Sequence, residues 1–284
     1  SFFVNYLKFC NYETENEIEI PIESKIITSD DVFNYMFNVR AVNQEIDIER
    51  KRLFEEYTSE KPIKVEELPS SGSNRRYFRL YGKNRTLIGA KGTCVEENIA
   101  FWTIADHFYK MGLPVPEVYS KSDDQYYYLQ KDLGDDSLFK AVSEGRESGN
   151  YNHKEVELLC KTIKMLPALQ FKGAEGLDFN ICYPQPEFDR RMISFDLNYF
   201  KYCFLKATGI EFNEIQLEDE FSKMSDILMN CNSNNFLYRD FQARNVMLVD
   251  GNPYFIDFQG GRRGPIYYDV ASFVWQAKAK YSDA

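Results

Sequence analysis

The chain of 284 residues reads as an α+β protein of two lobes, a small antiparallel-sheet lobe followed by a mainly helical lobe that carries a β-hairpin. Three observations predict this. Short alternating apolar runs, separated by Gly, Pro, Asn and Ser clusters, crowd into residues 61–129. Beyond residue 132 the apolar residues recur at helical spacing instead. Near the end, Val246–Val249 and Tyr254–Ile256 flank Asp250-Gly251-Asn252-Pro253, the pattern of a hairpin with a four-residue loop.

In chain order, residues 1–44 form an extension to which no role attaches, with a helix N-cap signal at Ser29-Asp30-Asp31. Residues 45–131 are read as the small lobe and 132–284 as the larger one. Residues 45–60 suit an amphipathic helix with Ile46, Leu53, Phe54 and Tyr57 on one side. Strands follow over Pro62-Ile63-Lys64-Val65-Glu66-Glu67-Leu68, at Tyr77–Tyr81 and at Thr86–Lys91. A helix from Glu96 to Lys110 turns Ile99, Trp102, Ala105 and Phe108 to one side and ends at Gly112-Leu113-Pro114. Two more strands, Val118–Tyr119 and Gln125–Leu129, lead into the crossing Q-K-D-L-G-D-D-S. Three helical faces come next: Val156/Leu159/Cys160/Ile163/Leu166, then Phe195/Tyr199/Tyr202/Leu205, then Leu217/Phe221/Met224/Leu228.

The hairpin carries the chemistry. Tyr238-Arg239-Asp240-Phe241-Gln242-Ala243-Arg244-Asn245, followed by Ile256-Asp257-Phe258-Gln259, has the spacing of a kinase catalytic loop and its D-F-G-type aspartate. With a four-residue loop, Val249 faces Tyr254 and Val246 faces Asp257, so Asn245 and Asp257 share the open end of the hairpin. Opposite or diagonal residues there lie roughly 4.5–8 Å apart. That separation lets an amide oxygen and a carboxylate grip one hard cation such as Mg²⁺. Asp240, on the loop entering the hairpin, is placed to orient an attacking hydroxyl or take its proton.

The small lobe then follows the order of a kinase N-lobe. Backbone N–H groups of Ser71, Gly72, Ser73 and Asn74 can fold over phosphates, because small residues allow close approach. Arg75 and Arg76 follow directly, and Lys91 closes the third strand, with Glu97 as the acid that would fix a lysine there. These three cations remain alternatives for the phosphate contact. Backbone groups around Gln130 to Asp132 are placed to meet an adenine edge, as in a kinase hinge. Asp189, Arg190, Asp196 and Arg244 are candidates for the acceptor side.

Composition narrows the classes. A net charge of −10 argues against a nucleic-acid partner. No apolar run approaches the roughly 20 residues of a membrane span, so no membrane role is expected. The six cysteines include no C-x-x-C pair and there are only two histidines, which disfavours zinc and His-based catalysis. Reduced, mostly buried cysteines in a cytoplasmic protein are expected.

From about Leu53 onward the chain resembles the aminoglycoside phosphotransferase family of small-molecule kinases. The likeness is strongest to the bacterial branch that phosphorylates N-acetylmuramate and N-acetylglucosamine at the anomeric hydroxyl. It is carried by S-N-R-R-Y-F-R-L, G-L-P-V-P-E-V-Y, Q-K-D-L-G-D-D-S-L, Y-R-D-F-Q-A-R-N-V-M-L, Y-F-I-D-F-Q-G-G-R-R-G-P and Y-D-V-A-S-F. The resemblance implies a protein-kinase-like fold, ATP and Mg²⁺ as cofactors, Asp240 as catalytic residue, Asn245 and Asp257 as metal ligands, and a sugar or amino sugar as acceptor. An aminoglycoside or an amino alcohol such as choline is the alternative acceptor, and a nucleotide-binding pseudokinase the alternative activity. It further implies that Asp269 pins the catalytic loop by hydrogen bonds. Tyr238, Gln242 and Gln259 depart from the family's usual His, His and Gly. A C-lobe of this family continues further, so the chain is expected to be truncated at its C-terminus.

Overall fold

Alternation in the first lobe becomes a five-stranded antiparallel sheet of order β1-β2-β3-β5-β4. Its strands are β1 (Lys64–Glu67), β2 (Arg76–Tyr81), β3 (Thr86–Lys91), β4 (Val118–Lys121) and β5 (Tyr127–Lys131). The computed structural model describes residues 49–69, 75–231, 234–276 and 279–281. All of these fall in one unit, Ile46–Ala284. The expected extension 1–44, with its N-cap signal, and the loop Ser71-Gly72-Ser73-Asn74 lie outside the described residues.

The period of two sorts the sheet into two faces. Phe78, Leu80, Leu87, Tyr127 and Leu129 pack with Leu53 and Phe54 of helix α1 (49–58). The opposite face turns Ala90 and Tyr128 into the main core, where helix α2 (Val95–Lys110) contributes Phe101, Trp102, Ala105 and Phe108. Gly112, with φ of 72°, closes that helix in the left-handed region.

Short helices α3 (Leu138–Ala141) and α4 (Ser143–Ser148) open the second lobe, and α5 (His153–Gln170) follows behind a capping box of Asn152 and Glu155. The buried line of α5 runs through Glu155, Thr162, Leu166, Leu169 and Gln170, while Val156 and Cys160 face outward. Its position is set by Glu155, which accepts a hydrogen bond from the Gly145 amide at 2.8 Å and draws that edge inward.

Helix α6 (Arg190–Phe200) buries Met192 and Ile193 against Phe188 and Leu237. It runs on into a π-turn at Lys201–Leu205, and Phe195, Tyr199 and Tyr202 point to the outside. The expected aromatic face is thus not a core face, because α6 meets the lobe along one narrow edge only. Helix α7 (Glu214–Met229) behaves alike, with Leu228 packed inward and Met224 exposed. Cysteines also depart from expectation: the five described ones are unpaired, yet only Cys182 is buried.

The hairpin pairs β7 (Val246–Val249) with β8 (Asn252–Phe255) in the register Val246↔Phe255, Met247↔Tyr254, Leu248↔Pro253 and Val249↔Asn252. The expected four-residue loop is corrected to two residues, Asp250 and Gly251. Their φ values of 50° and 71° make the mirror-image turn that Asp-Gly favours. Because the register moves by an even number of residues, every side chain keeps its face. Asn245 and Asp257 still flank the open end, where the Ile256 amide bonds the Asn245 carbonyl at 3.0 Å. Strand β6 (Asn235–Leu237) pairs with β9 (Arg262–Gly264), and α8 (Tyr267–Val274) follows. No helix among the described residues is long and apolar enough to cross a membrane.

Candidate active site

The catalytic-loop segment is held from beneath. Asp269, in the first turn of α8, is fully buried and accepts from the Tyr238 amide at 2.9 Å, the Arg239 amide at 2.8 Å and Gln170 Nε2 at 2.9 Å. Burial nonetheless pushes its carboxyl up to about 6. Tyr238 is buried too, and its hydroxyl donates to the Ile256 carbonyl, tying the loop to the end of the hairpin. Asp240 therefore sits on a segment fixed at both sides. Burial and then the nearby Asp257 raise its carboxyl above the ordinary value, against the pull of Arg239 and Arg244.

Asn245 is buried, and its Nδ2 donates to the Asp240 carbonyl at 2.8 Å. That bond turns the amide oxygen away from the loop. Asp257 has a left-handed φ of 66°, a strained value for a residue other than glycine, and its Oδ1 accepts from Gln259 Nε2 at 2.7 Å. Both residues line the cleft between the lobes. One amide oxygen and one carboxylate oxygen, both without a hydrogen-bond partner among the described residues, stand at the open end of a tight hairpin and fit a hard oxygen-seeking cation.

The cleft roof sorts the three cation candidates. Arg76 and Lys91 pair across the sheet on its outer face. Arg76 Nε meets Glu67 Oε1 at 2.8 Å, and Lys91 Nζ lies 5.6 Å above the Tyr127 ring. Strand alternation makes this unavoidable, since Ile88 and Ala90 are the β3 residues that look inward. Arg75 is the buried one, with Nη2 at 3.2 Å from the Glu97 carbonyl and 3.4 Å from Glu97 Oε1. Glu97 thus meets the arginine that directly precedes β2, in place of the expected lysine.

At the crossing, Gln130 and Asp132 both line the cleft, with Leu133 and Gly134. The Asp132 carboxylate is engaged by Arg79, a residue that sequence reasoning passed over. Arg79 Nε and Nη2 reach Asp132 at 2.8 and 3.1 Å, Nη1 reaches Asp135 at 2.8 and 3.0 Å, and Nη2 also meets the Gly134 carbonyl at 3.1 Å. The signal was present: Arg79 shares strand parity with Tyr77, so a polar residue had to face inward. The next residue, Asp136, accepts from the Leu248 amide at 2.7 Å, which joins the crossing to the catalytic hairpin.

Beside the catalytic loop, Asp196 Oδ1 accepts from Arg239 Nη2 at 2.7 Å, and Asp196 lines a separate apolar pocket with Phe188, Ile193 and Tyr268. Asp196 Oδ2, Arg239 Nη1 and Gln259 Oε1 are buried without hydrogen-bond partners among the described residues. Asp189 is elsewhere: it caps α6 through the Met192 amide at 3.0 Å and takes Gln185 Nε2 at 2.7 Å. Arg190 forms an exposed pair with Asp226. Neither side chain lines the cleft: Asp189 is claimed by the first turn of its own helix, and Arg190 turns to Asp226 of α7. Arg244 lines the cleft beside Asn245.

Over 216 residues the chain is 28% identical to the N-acetylmuramate/N-acetylglucosamine kinase of Neisseria meningitidis serogroup B, matching 74% of this chain and 60% of that protein. It is 26% identical over 214 residues to the protein of the same name from Pseudomonas aeruginosa, matching 74% of this chain and 59% of that protein. The match therefore spans about three fifths of the length of these curated relatives. In fold it is similar to choline kinase from Cryptosporidium parvum Iowa II, with a TM-score of 0.54 at 13% identity over 82% of this chain and 68% of that one. It is also similar to a thermostable mutant of aminoglycoside phosphotransferase APH(4)-Ia in complex with AMP-PNP and hygromycin B, with a TM-score of 0.52 at 13% identity over 78% and 74% of the two chains. The architecture is the two-lobed protein-kinase-like α+β fold. A family model matches from the first strand of the sheet, through the Asp240 to Asp257 segment, to residue 283: the chain belongs to the phosphotransferase enzyme family.

Proposed function

We propose that the chain transfers the γ-phosphate of ATP to a hydroxyl of a small molecule, with a sugar or amino sugar as acceptor. The observation that carries this reading is the single rigid unit bearing Asp240, Asn245 and Asp257, in which Asn245 Nδ2 is bonded to the Asp240 carbonyl at 2.8 Å. Asp240 orients the acceptor hydroxyl and takes its proton as the new oxygen–phosphorus bond forms. The bond from γ-phosphorus to the bridging oxygen breaks, and ADP leaves. The free oxygens of Asn245 and Asp257 are the groups that would hold magnesium, which when bound offsets charge on the phosphate oxygens. Arg75, steadied by Glu97, presents its guanidinium from the roof.

Two things support a sugar. The curated relatives are named for amino-sugar substrates. Close to Asp240, the buried Asp196 Oδ2 and Arg239 Nη1 have no partner among the described residues, an acceptor and a donor together, which suits hydroxyls that both donate and accept. The test is ADP release from ATP and Mg²⁺ with a panel of amino sugars, aminoglycosides and choline. Stimulation by amino sugars above the others is expected. Stimulation by no member of the panel would overturn the reading.

A further inference from the structure

Gln130 is a glutamine in a place where an apolar residue would be simpler. It lies on β5, opposite Ile88 in the sheet, and lines the cleft. Only 8% of it is exposed, and its Oε1 has no hydrogen-bond partner among the described residues. A buried amide oxygen left unbonded is costly, and native proteins rarely retain one without a reason. Apolar side chains line the cleft with it, Ile88 from the sheet and Met247 and Ile256 from the hairpin. Apolar side chains from two sides of a cleft suit the faces of a planar ring.

We propose that the Gln130 amide reads the base of the bound nucleotide, pairing with the N6–N7 edge of adenine and making the cleft adenine-selective. The inference rests on the nucleotide-dependent reading above. An amide offers one acceptor and one donor side by side. Adenine presents the complement, an N6 amino donor beside the N7 acceptor, and the two form a bidentate pair. Guanine presents O6 and N7, both acceptors, so the amide satisfies one of them and turns its own oxygen against the other. This asymmetry holds whichever way the amide is rotated, because no rotation supplies a second donor at the oxygen position.

The test is calorimetric binding of ADP, GDP and 7-deaza-ADP, each with Mg²⁺, to the full chain and to Gln130→Leu. A good bidentate pair discriminates by roughly ten- to a hundredfold. ADP should therefore bind the unaltered chain tighter than GDP by about that factor. 7-Deaza-ADP, which lacks only the N7 acceptor, should fall between them, and Gln130→Leu should bring ADP and 7-deaza-ADP to the same affinity. Equal binding of ADP and 7-deaza-ADP by the unaltered chain overturns the proposal, as does a preference for GDP or a difference that survives in Gln130→Leu. Should the variant fail to fold, the three-ligand comparison on the unaltered chain decides alone. Binding of none of the three by the unaltered chain refutes the nucleotide reading itself, an outcome distinct from binding without discrimination.

Discussion

Arg75 Nη2 stands 3.4 Å from Glu97 Oε1, so the acid of helix α2 is matched to the arginine just before β2 and not to the lysine that ends β3. A guanidinium gives planar, bidentate contacts that an ammonium cannot reproduce. Arg75→Met should weaken Mg-ADP binding by roughly ten- to a hundredfold, the range of a lost charge-assisted bond. Lys91→Met, on the outer face, should leave affinity unchanged. Titration calorimetry on both variants checks this; a larger loss in the lysine variant would refute the assignment.

Asp240→Ala should lower kcat by about 10²- to 10⁴-fold while Mg-ADP still binds. The Asp240 carboxyl is raised by burial and by Asp257, and only its ionised form takes a proton. Activity should therefore decline as pH falls through that raised value, at a higher pH than an ordinary carboxylate gives. A kcat–pH profile of the unaltered chain that stays level down to the normal aspartate range would remove Asp240 from this role.

Asp269 gives a prediction of opposite sense, on stability. Its folded value of about 6 lies above the ordinary 3.8, so between these values the folded chain holds a proton that the unfolded chain has released. This contribution to stability is present below the ordinary value and is lost as pH rises to about 6. The stability of the unaltered chain relative to Asp269→Asn should fall by about 3 kcal/mol across that window. Urea midpoints at several pH values measure it, and a difference that does not change with pH would contradict it.

Arg79→Met leaves the part-buried Asp132 carboxylate beside the crossing with its counter-charge gone. Breaking a fully buried pair costs about 3–5 kcal/mol, and this part-buried one should cost less. The double variant Arg79→Met/Asp132→Asn removes the stranded charge, keeps an acceptor for the Gly134 amide, and should regain a good part of the loss. Denaturation of the two variants tests this; no recovery in the double variant would show that the charge was not the cause.

Much of this was legible before any coordinates, and the particular misses explain why the rest was not. Thr86–Lys91 is a strand with the anticipated bounds, and the Asp240 to Asp257 segment forms one hairpin unit, since both depend on local pattern. The register of β7 and β8 was misjudged because Asn252 and Pro253 read as loop residues, whereas the two left-handed positions at Asp250 and Gly251 already complete the turn. Lys91 was misplaced because its distance along the chain is right for a phosphate contact while its strand parity is wrong. Arg79 and Gln170 escaped notice because their partners lie 53 to 56 and 96 to 99 residues away, beyond any local signal.

The Arg79 clasp has a consequence for how ligands arrive. One guanidinium joins a strand of the roof to Asp132, Gly134 and Asp135, and Asp136 passes the tie on to Leu248 of the floor. A clasp of this kind resists changes in the width of the mouth. Adenosine alone and tripolyphosphate alone should then each dock without waiting for the other, and joining them should add their affinities with little lost to reshaping the host.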